Sequence, residues 1–491
     1  KPDHRTESHL PMKTIRTDVA IIGAGTAGMS AYRAALAHTR EVRVIEGGAY
    51  GTTCARVGCM PSKLLIAAAE AAHAITHSGP FGVHGGPLRV DGEAVMQRVR
   101  SERDRFVGFV TDTVDHWPDE HKLQGRARFV ADGVLQVDEH TRVEAARIVI
   151  ATGSRPAVPP GWRQRLGERL IVNDDVFSWT TLPRSVAVVG AGVIGLEIAQ
   201  ALHRLGVRVR LYGRSDHVGP LSDPVLQAVA REVFANELPL TLGARQLDPV
   251  REGDTVVVRA TRTDGTVDED RFEWLLAATG RTPNVAGLGL EATSLPLDPA
   301  GVPVSDRRTA QVGVHPVFIA GDALDDRPLL HEAADEGRIA GDNAGRFPDV
   351  RVRPRRAPLA VVFSDPQIAL AGASHAELQR AGRAFATGKV SFADQGRSRV
   401  MRKNAGALHL YAETGTGRLL GAEMLGPAAE HIGHLLAWSV QRGDTVQQML
   451  DSPFYHPVVE EGLRTALRHL QSELRLGPLP VERCLDCGPG A

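Results

Sequence analysis

The sequence predicts an α/β protein: two doubly wound, three-layer units followed by an α+β unit. Three observations predict it. A short apolar strand, a glycine turn and the start of a helix occur twice, at Asp18–Gly28 and Val186–Gly195. The 491 residues exceed what one hydrophobic core supports, so about three domains are expected. Beyond Pro358, alternating stretches such as Leu408-His-Leu-Tyr-Ala and amphipathic helices read as an antiparallel sheet backed by helices.

Residues 1–12 are polar and are expected to be an arm or an expression remnant, with Met12 standing where a natural start would. In the first repeat, Gly23 and Gly25 let the backbone turn and approach a pyrophosphate at a helix N-terminus, while Gly28 lets helix pack on strand. Gly190, Gly192 and Gly195 do the same in the second, so both units read as Rossmann-like dinucleotide-binding domains. The next strand of the first unit, Val42–Ile45, runs into Glu46, about 20 residues past Gly23, where an acid grips an adenosine ribose. The repeat aligns Glu46 with Gly213, and Arg214 follows. A carboxylate there would repel a 2′-phosphate, whereas a guanidinium can hold one bidentately, so NADPH is expected over NADH; the alternative is a solvated surface arginine. Pro-rich Arg155–Pro160 and Arg281–Asn284 suit domain crossings, and Arg351–Pro358 reads as a linker.

Lys and Arg number 57 against 58 Asp and Glu, so no basic surplus points to nucleic acid or an anionic membrane. No stretch reaches the ~20 apolar residues of a membrane helix, and a cytoplasmic protein is expected. The four cysteines form two close pairs, Cys54/Cys59 and Cys484/Cys487, which in a reducing compartment suggests redox chemistry or metal binding rather than a structural disulfide framework.

Further motifs follow in order: Gly51-Thr-Thr-Cys54-Ala-Arg-Val-Gly-Cys59-Met-Pro-Ser-Lys63, Ala151-Thr-Gly153-Ser, Ala278-Thr-Gly280-Arg, Phe318-Ile-Ala-Gly321-Asp322-Ala and Tyr455-His456-Pro-Val-Val-Glu460-Glu461. With the glycine loops, they make the chain resemble the class I flavin-dependent pyridine nucleotide–disulfide oxidoreductases, a family that includes dihydrolipoamide dehydrogenase, glutathione reductase and mercuric reductase. The resemblance implies an FAD domain from residues 13–156 and 283–350, an NAD(P) domain from 157–282, a dimerisation domain from 351–475 that closes a homodimer, and a tail, 476–491. It also implies a redox-active Cys54–Cys59 disulfide, with Cys59 toward the flavin and Cys54 attacking substrate. Lys63 would pair with Glu197 near the flavin. FAD would be held by Gly23, Gly25, Gly28, Glu46, Gly153, Gly321 and Asp322, and NADPH by Gly190, Gly192, Gly195, Arg214 and Gly280. His456, oriented by Glu461, would supply acid–base chemistry to the partner subunit, and no metal cofactor is implied.

The expected reaction takes electrons from NADPH through FAD and the cysteine pair to a small, lipoamide-like thiol disulfide. His456 resembles disulfide reductases, since mercuric reductases generally have tyrosine in its place, and Leu330-His331-Glu332-Ala-Ala-Asp-Glu-Gly337 resembles dihydrolipoamide dehydrogenase, whereas Arg214 departs from the usual NAD-dependent dihydrolipoamide dehydrogenases. In the tail, Cys484 and Cys487 could shuttle electrons to a bulky disulfide or hand a soft metal ion to the active site, which leaves a mercuric-type reductase as the alternative enzyme. A flavin-binding scaffold in a larger complex is the non-catalytic alternative.

Overall fold

A computed structural model describes residues 12–324 and 326–477; residues 1–11 and the tail cysteines Cys484 and Cys487 lie outside the described residues. The chain divides into two compact units, the first formed by residues up to Pro61, Arg100–Ala157 and Arg281–Arg355, the second by Ser62–Val99, Val158–Gly280 and the chain from Arg356 onward.

The first unit is built on strand Lys13–Ile22, which lies parallel between Val42–Glu46 and Thr141–Ile150; Ile22 stands opposite both Ile45 and Ile150. Val317–Ile319 extends the parallel part beside Thr141–Ile150, and Val134–Val137 and Ala127–Ala131 add an antiparallel edge. Val19, Ala20 and Ile21 are wholly buried, as a parallel strand covered on both faces requires. One face is covered by helices Thr26–Ala35 and Leu330–Arg346, which cross closely because a Cβ on Gly337 or Gly341 would fall 2.1 Å from the carbonyl oxygen of Ala27 or Ala31.

The second unit holds a five-stranded parallel sheet in the order Leu240–Thr241, Arg208–Tyr212, Ser185–Val189, Trp274–Ala277 and Leu170–Ile171. A three-stranded antiparallel layer, Gln246–Glu252, Thr255–Thr261 and Val267–Phe272, is inserted into it. Residues 351–358 have neither helix nor strand. After them comes a five-stranded antiparallel sheet, Leu359–Val362, Gln367–Gly372, Leu419–Gly426, Ala407–Glu413 and Phe385–Ser391. Helices Ala429–Arg442 and Glu460–Leu474 back this sheet, their Ile432, Leu436, Leu463, Leu467 and Leu470 buried in one cluster with Leu408 and Leu410. The architecture is therefore α/β with two Rossmann-type sheets and a C-terminal α+β domain. Among the described residues no helix is long and apolar enough to cross a membrane.

Candidate active site

Each glycine loop is shaped by close approaches. Gly23 has φ +105°, and a Cβ there would lie 2.4 Å from Ala151 O; a Cβ on Gly28 would lie 1.8 Å from Gly23 O. The second loop repeats this: at Gly190, φ +116°, a Cβ would lie 2.1 Å from Ala278 O, and a Cβ on Gly195 would lie 1.8 Å from Gly190 O. The repeat thus extends to Ala151 and Ala278. Over Gly25 and Gly192 nothing lies within 4 Å of a Cβ, which leaves both helix starts open to an anion.

In the first unit Glu46 accepts from Ala24 N and Gly48 N, both at 2.8 Å, and so is held across the loop. Asp322 accepts from Ser154 Oγ at 2.8 Å; Arg281 in turn donates to Ser154 Oγ at 2.7 Å and to the Ser154 carbonyl at 2.8 Å. Gly321 N donates to Glu336 at 2.8 Å, and burial pushes the Glu336 carboxyl upward against the opposing charge of Arg355. Thr152 Oγ1, between Ala151 and Gly153, is buried with no hydrogen-bond partner among the described residues. An open helix start, a held acid and an unsatisfied hydroxyl fit a dinucleotide cofactor.

Gly51, at φ +123°, and Thr52, at φ +51° and ψ 150°, turn the chain into the cysteine segment. A non-glycine residue in that region stores about 1–3 kcal/mol and is typical of functional sites. Thr52 Oγ1 caps helix Thr53–Val57 by accepting from Ala55 N at 3.2 Å. Cys54 is half-buried in that helix; Cys59 is exposed and opens the next, Cys59–Thr76. Gly58 joins them, where a Cβ would lie 3.1 Å from Cys54 Cα. Cys59 is the first residue of an 18-residue helix, at the end where the helix dipole favours negative charge.

Lys63, one turn into the same helix, donates to Glu197 Oε2 at 2.8 Å, and its Nζ lies 4.6 Å from the centre of the Phe363 ring. Glu197 is 4% exposed, and its other oxygen accepts from Phe363 N at 2.8 Å, so both oxygens of this buried charge are engaged. His456 Nδ1 donates to Glu461 at 3.0 Å. Glu461, 2% exposed, also accepts from Val458 N at 3.2 Å and from Arg464 Nη2 at 3.1 Å. At the second glycine loop Gly213 follows the strand, Arg214 is exposed, and Arg231 donates to the Asp216 carbonyl at 3.2 Å.

The structure thus joins Lys63 to Glu197 and His456 to Glu461, and places Gly153, Gly321 and Asp322 near one another through Ser154 and Arg281. The cysteine pair belongs to the first unit, and Lys63, Glu197, His456 and Glu461 to the second. Arg464, Phe363 and Arg231 are not marked by any motif read from the sequence, and Ser154 stands there only as the last residue of the Ala151–Ser154 motif. Arg464 had a signal, being one helical turn past Glu461; Arg231 lies in a helix, Pro224–Ala235, with no motif to mark it.

The family description "pyridine nucleotide-disulphide oxidoreductase" matches residues 17–337, and that family's dimerisation domain matches residues 359–467. A mercuric reductase of Streptomyces lividans is 33% identical over 93% of this chain and 97% of its own. Dihydrolipoyl dehydrogenase 3 of Pseudomonas aeruginosa is 30% identical over 91% of this chain and 97% of its own. Among solved structures, LpdA from Mycobacterium tuberculosis superposes with a TM-score of 0.77 at 26% identity, covering 92% of this chain and 99% of that one.

Proposed function

The chain belongs to the FAD-dependent pyridine nucleotide–disulphide oxidoreductases, and from that premise we propose that it uses NADPH to reduce a small thiol disulfide through Cys54 and Cys59. The observation that carries this reading is His456 fixed on the buried carboxylate of Glu461, since thiol–disulfide exchange needs a proton carrier and a metal-ion substrate does not.

The flavin would be held by the loop Gly23–Gly28, Glu46, Gly153, Gly321 and Asp322, within a domain formed by residues 13–156 and 283–350. When bound, it supplies the two-electron relay between nicotinamide and the cysteine pair. Lys63 and Glu197 form a charge pair whose engaged oxygens keep the lysine side chain in one place. The Cys54 thiolate attacks one sulfur of the substrate disulfide, and the departing thiolate takes a proton from His456. The Cys59 thiolate then attacks the Cys54 sulfur, re-forming the internal disulfide and expelling the second substrate sulfur as a thiolate, which takes its proton from solvent. With Nδ1 on Glu461, proton transfer falls to Nε2 of His456. His456 and Glu461 of one subunit serve the cysteines of its partner in a homodimer.

NADPH preference is supported by Gly213 where an acid would stand, by the exposed Arg214, and by Arg231, which brings a second guanidinium to the same turn. A mercuric-type reductase is the second reading, favoured by the likeness to mercuric reductases and by the Cys484/Cys487 pair. Steady-state oxidation of NADPH and of NADH, with Hg(II), lipoamide and glutathione disulfide as acceptors, tests both. Turnover of a disulfide with NADPH preferred is expected; turnover with Hg(II) alone would overturn the disulfide reading.

A further inference from the structure

Between Asp394 and Asn404 the chain carries four cations, Arg397, Arg399, Arg402 and Lys403, against the single acid Asp394, in a protein whose formal net charge is −1. Arg399 is paired with Asp394 at 2.9 Å. Arg397, Arg402 and Lys403 have no acidic partner among the described residues, and Arg402 and Lys403 are exposed. Such a concentration of cations creates a local positive field that the neutral whole does not.

The loop is a fixed structure. Gln395, wholly buried, accepts from Ser398 N at 2.8 Å and Ser398 Oγ at 2.7 Å, while Asn404 closes the excursion by donating to the Ala393 carbonyl at 2.8 Å. Gln395 also donates to the Val458 carbonyl at 2.9 Å. Val458 is two residues past His456, and its own N–H is held by Glu461. The root of the loop packs on the same helix, since a Cβ on Gly462 would lie 3.0 Å from the Phe392 ring. The cationic loop and the acid–base histidine are therefore parts of one rigid piece. Of the acids in the two segments joined here, 394–404 and 456–462, Glu461 is held by His456 and Arg464 and Asp394 by Arg399, which leaves Glu460.

We propose that this loop selects an anionic disulfide, one carrying carboxylate or phosphate groups, with Arg397, Arg402 and Lys403 facing the substrate's charge beside His456. The inference rests on the disulfide-reductase reading. The net reaction is R–S–S–R + NADPH + H⁺ → 2 R–SH + NADP⁺: the substrate S–S bond breaks, two S–H bonds form, and the nicotinamide supplies the hydride.

Lipoate and lipoamide carry the same dithiolane and differ in one charge, a carboxylate against an amide. The wild-type enzyme is expected to show kcat/KM about tenfold higher for lipoate at low ionic strength, with the ratio falling toward one as salt is raised. In the variant R397Q/R402N/K403Q the ratio is expected near one at all salt concentrations; asparagine is chosen because residue 402 has φ +53°. A salt-independent ratio near one in the wild type, which needs no variant, would overturn the proposal, as would a variant that keeps the full preference. Absence of turnover with either disulfide would instead overturn the reductase reading on which the proposal stands.

Discussion

Replacing Glu461 by glutamine keeps the size of the side chain and removes its charge. In the native arrangement the carboxylate accepts from His456 Nδ1 at 3.0 Å, from Val458 N at 3.2 Å and from Arg464 Nη2 at 3.1 Å, and it is 2% exposed. A hydrogen bond to a charged group is worth about 1.5–3 kcal/mol. If that energy is what keeps the imidazole in its proton-carrying tautomer, its loss lowers the disulfide-reduction rate by about 10- to 150-fold, at 1.4 kcal/mol per decade. Stopped-flow kinetics separates the two half-reactions. Reduction of the enzyme by NADPH is expected to run at the wild-type rate in E461Q, and reoxidation by disulfide to slow by that factor. Equal slowing of both half-reactions, or no slowing of reoxidation, would refute the assignment of His456 and Glu461 to substrate proton transfer.

Arg214→Glu is expected to lower kcat/KM for NADPH by about 10- to 100-fold while sparing NADH, and Arg231→Ala to lower it by a few-fold, because exposed charges contribute less singly than as a pair; steady-state kinetics with both nucleotides checks this. Glu197→Gln leaves the Lys63 ammonium without its counter-ion. With the lysine side chain 31% exposed, we expect a loss of about 2 kcal/mol, below the range for a fully buried pair, read as a fall in Tm. Asp342 accepts from Arg353 and His38 at 2.8 Å and from Arg346 at 3.0 Å. Burial, the largest influence, raises its carboxyl, but these donors outweigh it and hold it at about 2, against 3.8 in the unfolded chain. A depressed carboxylate stabilises the fold above the unfolded value, and that stability is lost as pH falls through about 4 toward 2. Wild type should exceed D342N by about 2 kcal/mol at neutral pH and converge with it near pH 2 in denaturant titrations.

Much of the fold was legible because glycine has few substitutes at a close backbone approach: Gly23, Gly28, Gly190 and Gly195 each sit where a Cβ would meet a carbonyl oxygen within 2.4 Å. The strand ends that lead into Gly23 and Gly190, Val19–Ile22 and Val186–Val189, are uninterrupted apolar runs, and the C-terminal sheet announced itself through alternation around Leu408 and Leu410. What the sequence did not disclose depends on contacts far apart along the chain. Leu65, Ala69 and Ala72 form an apolar helical face, but nothing local says that it packs in one cluster with Leu196 and Val218. Phe363 reaches the Lys63–Glu197 pair from 166 positions beyond the glutamate. Gln395 is an unremarkable polar residue in sequence, and only its burial and its bond to the Val458 carbonyl tie the cationic loop to His456.

The proposed reaction requires electrons to pass between bound FAD and Cys59. Anaerobic titration of the wild-type holoenzyme and of C59S with NADPH, followed by absorbance, tests this most directly. The wild type is expected to develop a long-wavelength thiolate-to-flavin charge-transfer band at two-electron reduction, and C59S to lack it while still binding FAD. A wild-type enzyme without that band, or a C59S enzyme that retains it, would contradict the account.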